Sequence, residues 1–373
     1  MTTVFDTTHT DEPAALGPLR TVDPLIVEAS GGGFRISSPR CEKRLRVAPY
    51  IVELLVAARN GLGKNDFRSD TEGPIRLLTE YGYLVTENPP TPSPWDTWGT
   101  TAWTFHQRVR DTPFIDNTSP TATAAYLEKV SRRPRPSSFR VRPDARILLL
   151  PRVRVRCDVR YLDVVQARRT HRHFDGEPLD LDRFSDMLHY TFAPLRFADA
   201  GALGVLQLKA AASGGARHEC EAFVLALDVD QVAPGLYAYD GVRHGLVPID
   251  ATVTRDQAEW LTHGQGLFRT AAFGVFTAAV ADRMAWKYLN ARAYKLMLHN
   301  VGHMAQVFSM TAAALGLGAA ITGAIRDTEA DRLLGLDMPS EFTTFAMACG
   351  VPLLRADGLP LSIKLPSTAP EMY

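Results

Sequence analysis

The chain has 373 residues, 46% of them hydrophobic, and its 41 lysines and arginines are matched by 41 aspartates and glutamates. A chain of this length exceeds what one ordinary core fills, so two domains are expected, and the balanced charge argues against wholesale binding to nucleic acid or membrane. The four cysteines, Cys41, Cys157, Cys220 and Cys349, are scattered, with no CxxC pair and no histidine at zinc-like spacing, which reads as reduced thiols and no metal site.

The first residues, "MTTVFDTTHTDEP", carry no basic-then-apolar signal pattern, and no uninterrupted apolar run reaches the roughly 18 residues of a membrane span. A cytoplasmic chain without an anchor is the expectation. Residues 1–24 read as a disordered tail, with order beginning near Phe34. From Val47 to Ala58 apolar residues recur at helical spacing, "PIRLLTEY" opens a second helix on Pro74, and "GYLVTE" (82–87) reads as a strand. Helix, loop, helix and strand suggest a winged-helix-like domain over 25–120. Its second helix holds only Arg76 as a base, opposed by Glu80, so no face that tracks phosphates is visible and no nucleic-acid partner is expected.

Prolines 89 to 94 punctuate the chain before Trp95, Trp98, Trp103 and Phe105, an aromatic patch that either shelves a ligand or pins a linker to a domain surface. A linker is expected over 121–155, through the irregular "SRRPRPSSFRVRP". From Glu128 to Arg172 fourteen Lys or Arg stand against four Asp or Glu, which is either a solvated face or an attraction for an acidic partner.

The remaining residues, 156–373, carry the candidate chemistry. In "ARRTHRHF" (167–174), closely spaced arginine forks and a threonine hydroxyl supply what a phosphate monoester needs, although basic surface clusters are also common. An amphipathic helix follows, with Leu181, Phe184, Met187 and Leu188 on its buried side and Asp180 or Asp182 at its start. Ser213, Gly214 and Gly215 then either let backbone N–H groups approach a ligand or form an ordinary loop before a strand. "GLYAYDGVRHGLVPI" reads as a hairpin turning at Asp240-Gly241. A long helix over 291–315 has Gly302, Ala305, Ser309 and Ala312 thinning one side for close helix contact, as in a dimer core, and stops at a glycine cap in "GLGAA". The strands "ITGAI" and "FTTFAMACGVPL" complete an α+β pattern.

Together "RRTHRHF", "SGGARHECEAFVLALDVDQVAPGLYAYD", "WKYLNARAYKLMLHNVGHMAQ" and "AALGLGAAITGAIRD" resemble the FMN-dependent nitroreductase superfamily, and within it the SagB-type and azoline-oxidising dehydrogenases of peptide natural-product pathways. The resemblance spans roughly residues 160 to 352. It implies a mixed, mainly antiparallel sheet flanked by helices, a homodimer formed through the long helix, and FMN sites at the subunit interface. By the same resemblance Arg168, Arg169, Thr170 and Arg172 hold the FMN phosphate and ribityl end. Ser213, Gly214 and Gly215 lie beside the flavin ring from the partner subunit, and Gly323 and Ala324 lie near flavin N5. Lys287 and Tyr288 occupy the place of the catalytic Lys-Tyr pair, with Tyr294-Lys295 as a second candidate pair.

The implied function is dehydrogenation of azolines to azoles on a peptide or peptide-like intermediate, with a cyclodehydratase as a further partner. A flavin reductase of nitro groups or activated alkenes using NAD(P)H, and a non-catalytic peptide-binding scaffold subunit, are the alternatives. The sequence departs from the family pattern at Ala212 and Glu219, where prolines are usual, and at Leu289-Asn290, where glycine-rich sequence is usual, which implies a substrate pocket of its own.

Overall fold

The computed structural model describes residues 18–63, 71–116, 118–140, 142, 145–152 and 158–361. The chain divides into two compact units, Met1–Thr112 and Pro113–Tyr373.

In the first unit β1 (Arg20–Thr21) is followed by an antiparallel meander of β2 (Ile26–Ser30), β3 (Gly33–Ser37) and β4 (Leu45–Val47). Helices α1 (Pro49–Ala57) and α2 (Glu72–Glu80) come next, then β5 (Leu84–Val85), which pairs antiparallel with β1. The expected order of helix, loop, helix and strand is present, but four strands precede it. Order also starts earlier than Phe34: Leu19 and Val22, inside the expected tail, are buried with Ile36, Leu55, Leu78 and Tyr83. The rest of that tail, to residue 17, lies outside the described residues. The meander was missed because β2 and β3 are short and only half-buried, so neither shows a full apolar alternation.

Trp95, Trp98, Trp103 and Phe105 belong to α3 (Ser93–Arg108), a helix interrupted at Gly99, whose φ of 82° lies where glycine carries no Cβ penalty. Trp103 is buried, stacked on Trp95 with ring centres 6.4 Å apart and covered by the Arg40 guanidinium at 4.9 Å. Of the four aromatic residues, Trp103 faces inward, Trp95 and Phe105 are half-buried and Trp98 is exposed.

The second unit opens with α4 (Pro120–Ser131), whose start is capped by Ser119 accepting from the Ala122 N–H. Strand β6 (Leu148–Leu149) pairs with the main sheet. The stretch 121–155 thus carries a helix and an edge strand rather than bare linker. Next come α5 (Tyr161–Ala167) and α6 (Leu181–Phe192), the latter capped by Asp180, which accepts from the Arg183 N–H at 2.8 Å. A small hairpin pairs β7 (Arg196–Asp199) with β8 (Val205–Leu208). Then follow β9 (Cys220–Ala226), β10 (Gly235–Asp240), β11 (Gly245–Asp250), α7 (Arg255–Leu261), β12 (Phe273–Val280), α8 (Ala281–Lys287), α9 (Arg292–Ala314), β13 (Gly318–Thr322), α10 (Asp327–Leu334) and β14 (Glu341–Gly350).

Seven strands form one antiparallel sheet in the order β13-β14-β12-β9-β10-β11-β6. Among the described residues, isolated parallel bridges join Thr170 to Ala319 at the β13 edge and Leu179 to Val229 just after β9. Both faces are covered, which the residue alternation dictates. On β9 and β12, Val224, Phe273 and Val275 join Phe184, Met187 and Leu188 of α6 and Met304, Phe308 and Ala312 of α9 in one core. Phe223, Leu225, Phe276 and Ala278 point the other way, into a core with Ala258 and Leu261 of α7 and Leu334 of α10. Each fully buried phenylalanine contributes about 1.5–3 kcal/mol, so this sheet is a rigid base for whatever stands on its rim.

Helix α9 ends as "GLGAA" predicts. Gly316 takes φ 70°, the Gly316 N–H reaches the Ala313 carbonyl at 3.2 Å, and the Leu317 N–H reaches the Ala312 carbonyl at 2.8 Å. These are the two bonds of a Schellman cap. The small residues along the helix do not all face outward: Ala305, Ser309 and Ala312 are buried in their own unit, while Gly302 is exposed with open space beside it. Spaced i, i+4, i+7, those three fall on the stripe that faces the sheet. The outward face instead carries Tyr294, Leu298, His299, Gly302 and His303.

Cys41, Cys220 and Cys349 are free thiols, and Cys157 lies outside the described residues. Among the described residues no helix is long and apolar enough to cross a membrane.

Candidate active site

Two groups of candidate residues stand at different places along α9. The first lies at the junction of α8 and α9. Lys287 is the last residue of α8, and Tyr288 leaves the helix with φ −105° and ψ 101°. The last carbonyls of a helix lack internal partners, and here they are met from upstream. Arg133 donates to the Ala285 and Trp286 carbonyls, both at 2.7 Å, and Tyr126 of α4 donates to the Lys287 carbonyl. The Trp286 indole N–H returns a bond to the Arg133 carbonyl at 3.3 Å. Part of the basic excess around residues 128–172 is thus internal bracing.

Opposite this junction lies the loop Ser213–His218. Gly215 has φ 60°, where only glycine is at ease, and Ala216 and His218 also hold positive φ. Four bonds fix this strained path. Asn300 Oδ1 accepts from the Gly214 N–H (3.0 Å), Ser213 Oγ accepts from the His218 N–H (3.0 Å), Arg217 Nε donates to the Gly215 carbonyl (2.9 Å), and the Ala216 N–H donates to the Ser213 carbonyl (2.9 Å). A Cβ on Gly215 would stand 2.5 Å from Lys287 Nζ and 2.8 Å from the Tyr288 hydroxyl. The glycine therefore makes room for the Lys-Tyr pair. The Gly214 N–H, a candidate for contacting a ligand, is already taken by Asn300.

The electrostatics follow from burial. Partial burial, and then the nearby Arg217 guanidinium, lower the Lys287 pKa below the usual lysine range. Burial raises the Tyr288 pKa, and Arg217 pulls it partly back. Arg217 is itself buried, with its guanidinium 5.3 Å from the centre of the Trp286 ring. His218 falls to about 4, chiefly through burial, and is neutral near pH 7.

Beneath the loop, the fully buried Glu219 carboxylate accepts from Asn300 Nδ2 at 2.9 Å and lies 3.4 Å from Ser213 Oγ. Burial raises its pKa, which those two bonds and Arg283 only partly oppose. Lys209, His218 and Cys220 line the same small cavity. Because the folded state holds this proton more tightly than the unfolded chain, stability declines as pH rises from the unfolded pKa toward the folded one. Glu219→Gln, which keeps an acceptor without the ionisation, is expected to remove that decline. Melting temperatures of the two proteins, measured between pH 4 and pH 9 in about equal steps, should diverge toward high pH with the variant above. Parallel curves would rule out an ionising Glu219.

The second group lies where α5, β13 and the C-terminal half of α9 meet. Arg169 Nη1 donates to the Gln166 and Arg168 carbonyls at 2.7 and 2.8 Å, capping α5. Thr170 bridges to Ala319, and the His171 N–H donates to the Ala319 carbonyl at 2.9 Å. His171 is buried, its Nδ1 has no hydrogen-bond partner, and burial followed by Arg168 and Arg169 lowers its pKa. A hollow of about 350 Å³ opens here, lined by Arg169, His171, Ser309, Ala313 and Ala319 among others. Arg168, Thr170 and Arg172 stand on the same segment without lining it. Gly323 and Ala324 follow β13 and are exposed, with the Ala324 N–H bonded to Thr322 Oγ1 at 3.1 Å.

Within one chain the two groups stay apart. Asn300 touches the first and Ser309 the second, a spacing of about 14 Å along the helix axis. Of the alternative pair, Lys295 faces the same pocket as Tyr288, while Tyr294 turns toward Phe342 with ring centres 6.2 Å apart. Asn300, Arg217, Tyr126 and Arg133 were not singled out from sequence. Only Asn300 left a usable signal, a polar residue among Met297, Val301 and Met304 on the buried stripe of a helix.

An antiparallel sheet clad with helices on both faces defines a nitroreductase-like α+β fold. The Nitroreductase family model matches residues 165–351, and the chain belongs to that family. Protein MJ1384 of Methanocaldococcus jannaschii, assigned as a nitroreductase, is 30% identical over 178 residues, covering 48% of this chain and 85% of the relative. The trifolitoxin-processing protein TfxB of Rhizobium leguminosarum bv. trifolii is 28% identical over 166 residues, 43% of this chain and 44% of that protein. Among solved structures, a chain of the Escherichia coli microcin synthetase McbBCD complex with truncated pro-MccB17 bound aligns with a TM-score of 0.41 and 17% identity, over 74% of this chain and 96% of that one. Membership brings with it the cofactor, FMN.

The residues present fit that group. The buried His171 Nδ1, without a hydrogen-bond partner, stands beside Arg169 on the hollow, a polar lining suited to an anionic group.

Proposed function

We propose that this oxidoreductase dehydrogenates azoline rings to azoles on a peptide or peptide-like intermediate. The observation that carries the reading is the convergence of Lys287 Nζ and the Tyr288 hydroxyl on the space beside Gly215. FMN, when bound, supplies the two-electron acceptor for the hydride. Lys287, its proton affinity reduced by burial and Arg217, takes the ring proton. Tyr288 keeps its proton and donates a hydrogen bond to a ring heteroatom. Arg168, Arg169, Thr170 and Arg172 would hold the phosphate and ribityl end of FMN, and Ser213, Gly214, Gly215, Gly323 and Ala324 would border its ring.

The spacing of the two groups along α9 supports a homodimer in which each flavin is enclosed by the arginine segment of one copy and the glycine loop of the other. The relative named for trifolitoxin processing supports a peptide substrate, with a cyclodehydratase as the enzyme that forms the ring. The experiment is mass spectrometry of a cyclised precursor peptide incubated with the yellow, FMN-loaded protein. A loss of two hydrogens per ring is expected, and an unchanged mass with flavin bound would reject the dehydrogenation.

The relative from M. jannaschii favours a second reading, reduction of nitro groups or activated alkenes with NAD(P)H. Rapid bleaching of the bound flavin by NAD(P)H, followed by turnover of such an acceptor, distinguishes it. Protein that takes up no FMN would leave only a non-catalytic, peptide-binding role.

A further inference from the structure

Beside Tyr288, a second pocket of about 230 Å³ is lined by Phe114, Asn290, Arg292, Ala293, Lys295, Leu296 and His299. Its charge is one-sided: two fixed cations and a histidine, with no aspartate or glutamate among its described lining residues. The placement of those cations is costly to the helix that bears them. Arg292 and Lys295 sit at the start of α9, whose first turn contains no acid. Positive side chains there oppose the helix dipole, where an Asp or Glu would favour it. The same dipole adds to the attraction for an anion lying in the pocket.

The rest of the lining limits what that anion is attached to. Phe114 and the Tyr288 ring offer flat apolar faces, and the Arg292 guanidinium lies 5.9 Å from the centre of the Phe114 ring. Asn290 is held by accepting the Arg292 N–H at 3.1 Å, so the wall at the helix start is fixed. The volume suits one side chain or a chain terminus, not a folded partner.

We propose that this pocket is an anion-accepting subsite that takes a carboxylate of the substrate, borne by a residue next to the reacting ring. It rests on the reading of Lys287 and Tyr288 as the reacting pair, since it names what lies one step away from them. Arg292 and Lys295 hold the carboxylate by charge-assisted hydrogen bonds, and Phe114 packs against the apolar part that carries it. This also separates the roles of the two lysines: Lys287 exchanges a proton, while Lys295 anchors.

The test is calorimetric titration of benzoate and of its uncharged isostere benzamide onto FMN-loaded protein, with Arg292→Ala, Lys295→Ala and Lys295→Gln as variants. Benzoate is expected to bind at least about tenfold more tightly than benzamide, and each variant to weaken benzoate by about tenfold without changing benzamide. Loss of folding is excluded where the variants keep the parent melting temperature, and Lys295→Gln preserves the length of the side chain. Equal binding of the two probes, or benzoate affinity unchanged in all three variants, overturns the proposal. So does displacement of benzoate by an equal concentration of inorganic phosphate together with loss of FMN uptake in Lys295→Ala, which would make the pocket a cofactor phosphate site. The flavin absorbance of the same samples reports independently on cofactor binding. A failed subsite in yellow protein is therefore distinct from a failed oxidoreductase.

Discussion

Lys287→Ala is expected to bind FMN as the parent does and to turn over about 10²- to 10⁴-fold more slowly, the range that a positioned general base contributes. The lysine reaches the site from the last turn of α8 and does not line the hollow beside Arg169 and His171. Its loss should therefore appear in kcat rather than in flavin content. The pH profile gives a sharper reading. As a base Lys287 acts only when deprotonated, so the parent rate should rise with pH toward a pKa below the usual lysine value, and the variant should lose that limb. Tyr288→Phe keeps the ring and removes the hydroxyl, so a smaller loss with the pH limb retained is expected. Stopped-flow measurement of flavin reduction by substrate, from pH 6 to pH 10 in about half-unit steps, reads both effects. A Lys287→Ala protein with parental rates would remove the lysine from the chemistry.

Gly215→Ala tests the same site from the opposite side. At φ 60° an alanine costs about 1–2 kcal/mol of backbone strain, a modest share of a domain's stability. The steric consequence is larger, because the new methyl carbon would stand 2.5 Å from Lys287 Nζ and 2.8 Å from the Tyr288 hydroxyl. Both contacts are with the ends of flexible side chains, so the protein relieves them by moving the pair. Displacing reacting groups by about 1 Å can cost on the order of 10²-fold. The variant is expected to fold, melt a few degrees lower and lose about 10²-fold in kcat. Parental kcat in a folded Gly215→Ala protein would show that the pair is not the reacting one.

Where the sequence carried a strong local pattern, the fold was legible in it. The apolar spacing of Phe184, Met187 and Leu188, the hairpin at Asp240-Gly241 and the glycine stop after α9 each depend on neighbours within about two turns of chain. The β2–β3–β4 meander was not, because its half-buried strands lack alternation, and α3 was hidden by prolines that start a helix as readily as they break one. At the candidate site the residue types were readable, but their partnerships were not. Asn300 and Glu219 meet across 81 positions and Arg133 and Trp286 across 153, and no short-range pattern encodes such pairs. The small residues on α9 show the converse error: spacing identified a smooth stripe, but only packing decides that Ala305, Ser309 and Ala312 turn inward.

Tyr126 and Arg133 lie before residue 165, where the family match begins, yet they hold the three carbonyls that end α8. The turn that presents Lys287 is thus clamped by sequence outside the shared domain. Joining positions 133 and 286 closes a loop of some 150 residues, among the most entropically demanding contacts the unit makes. The strand pairings of the sheet join nearer positions, whereas the turn carrying Lys287 is held by this more distant contact. A change in residues 120–133 is therefore a change in what holds Lys287 in place, although it falls outside the span the family match covers.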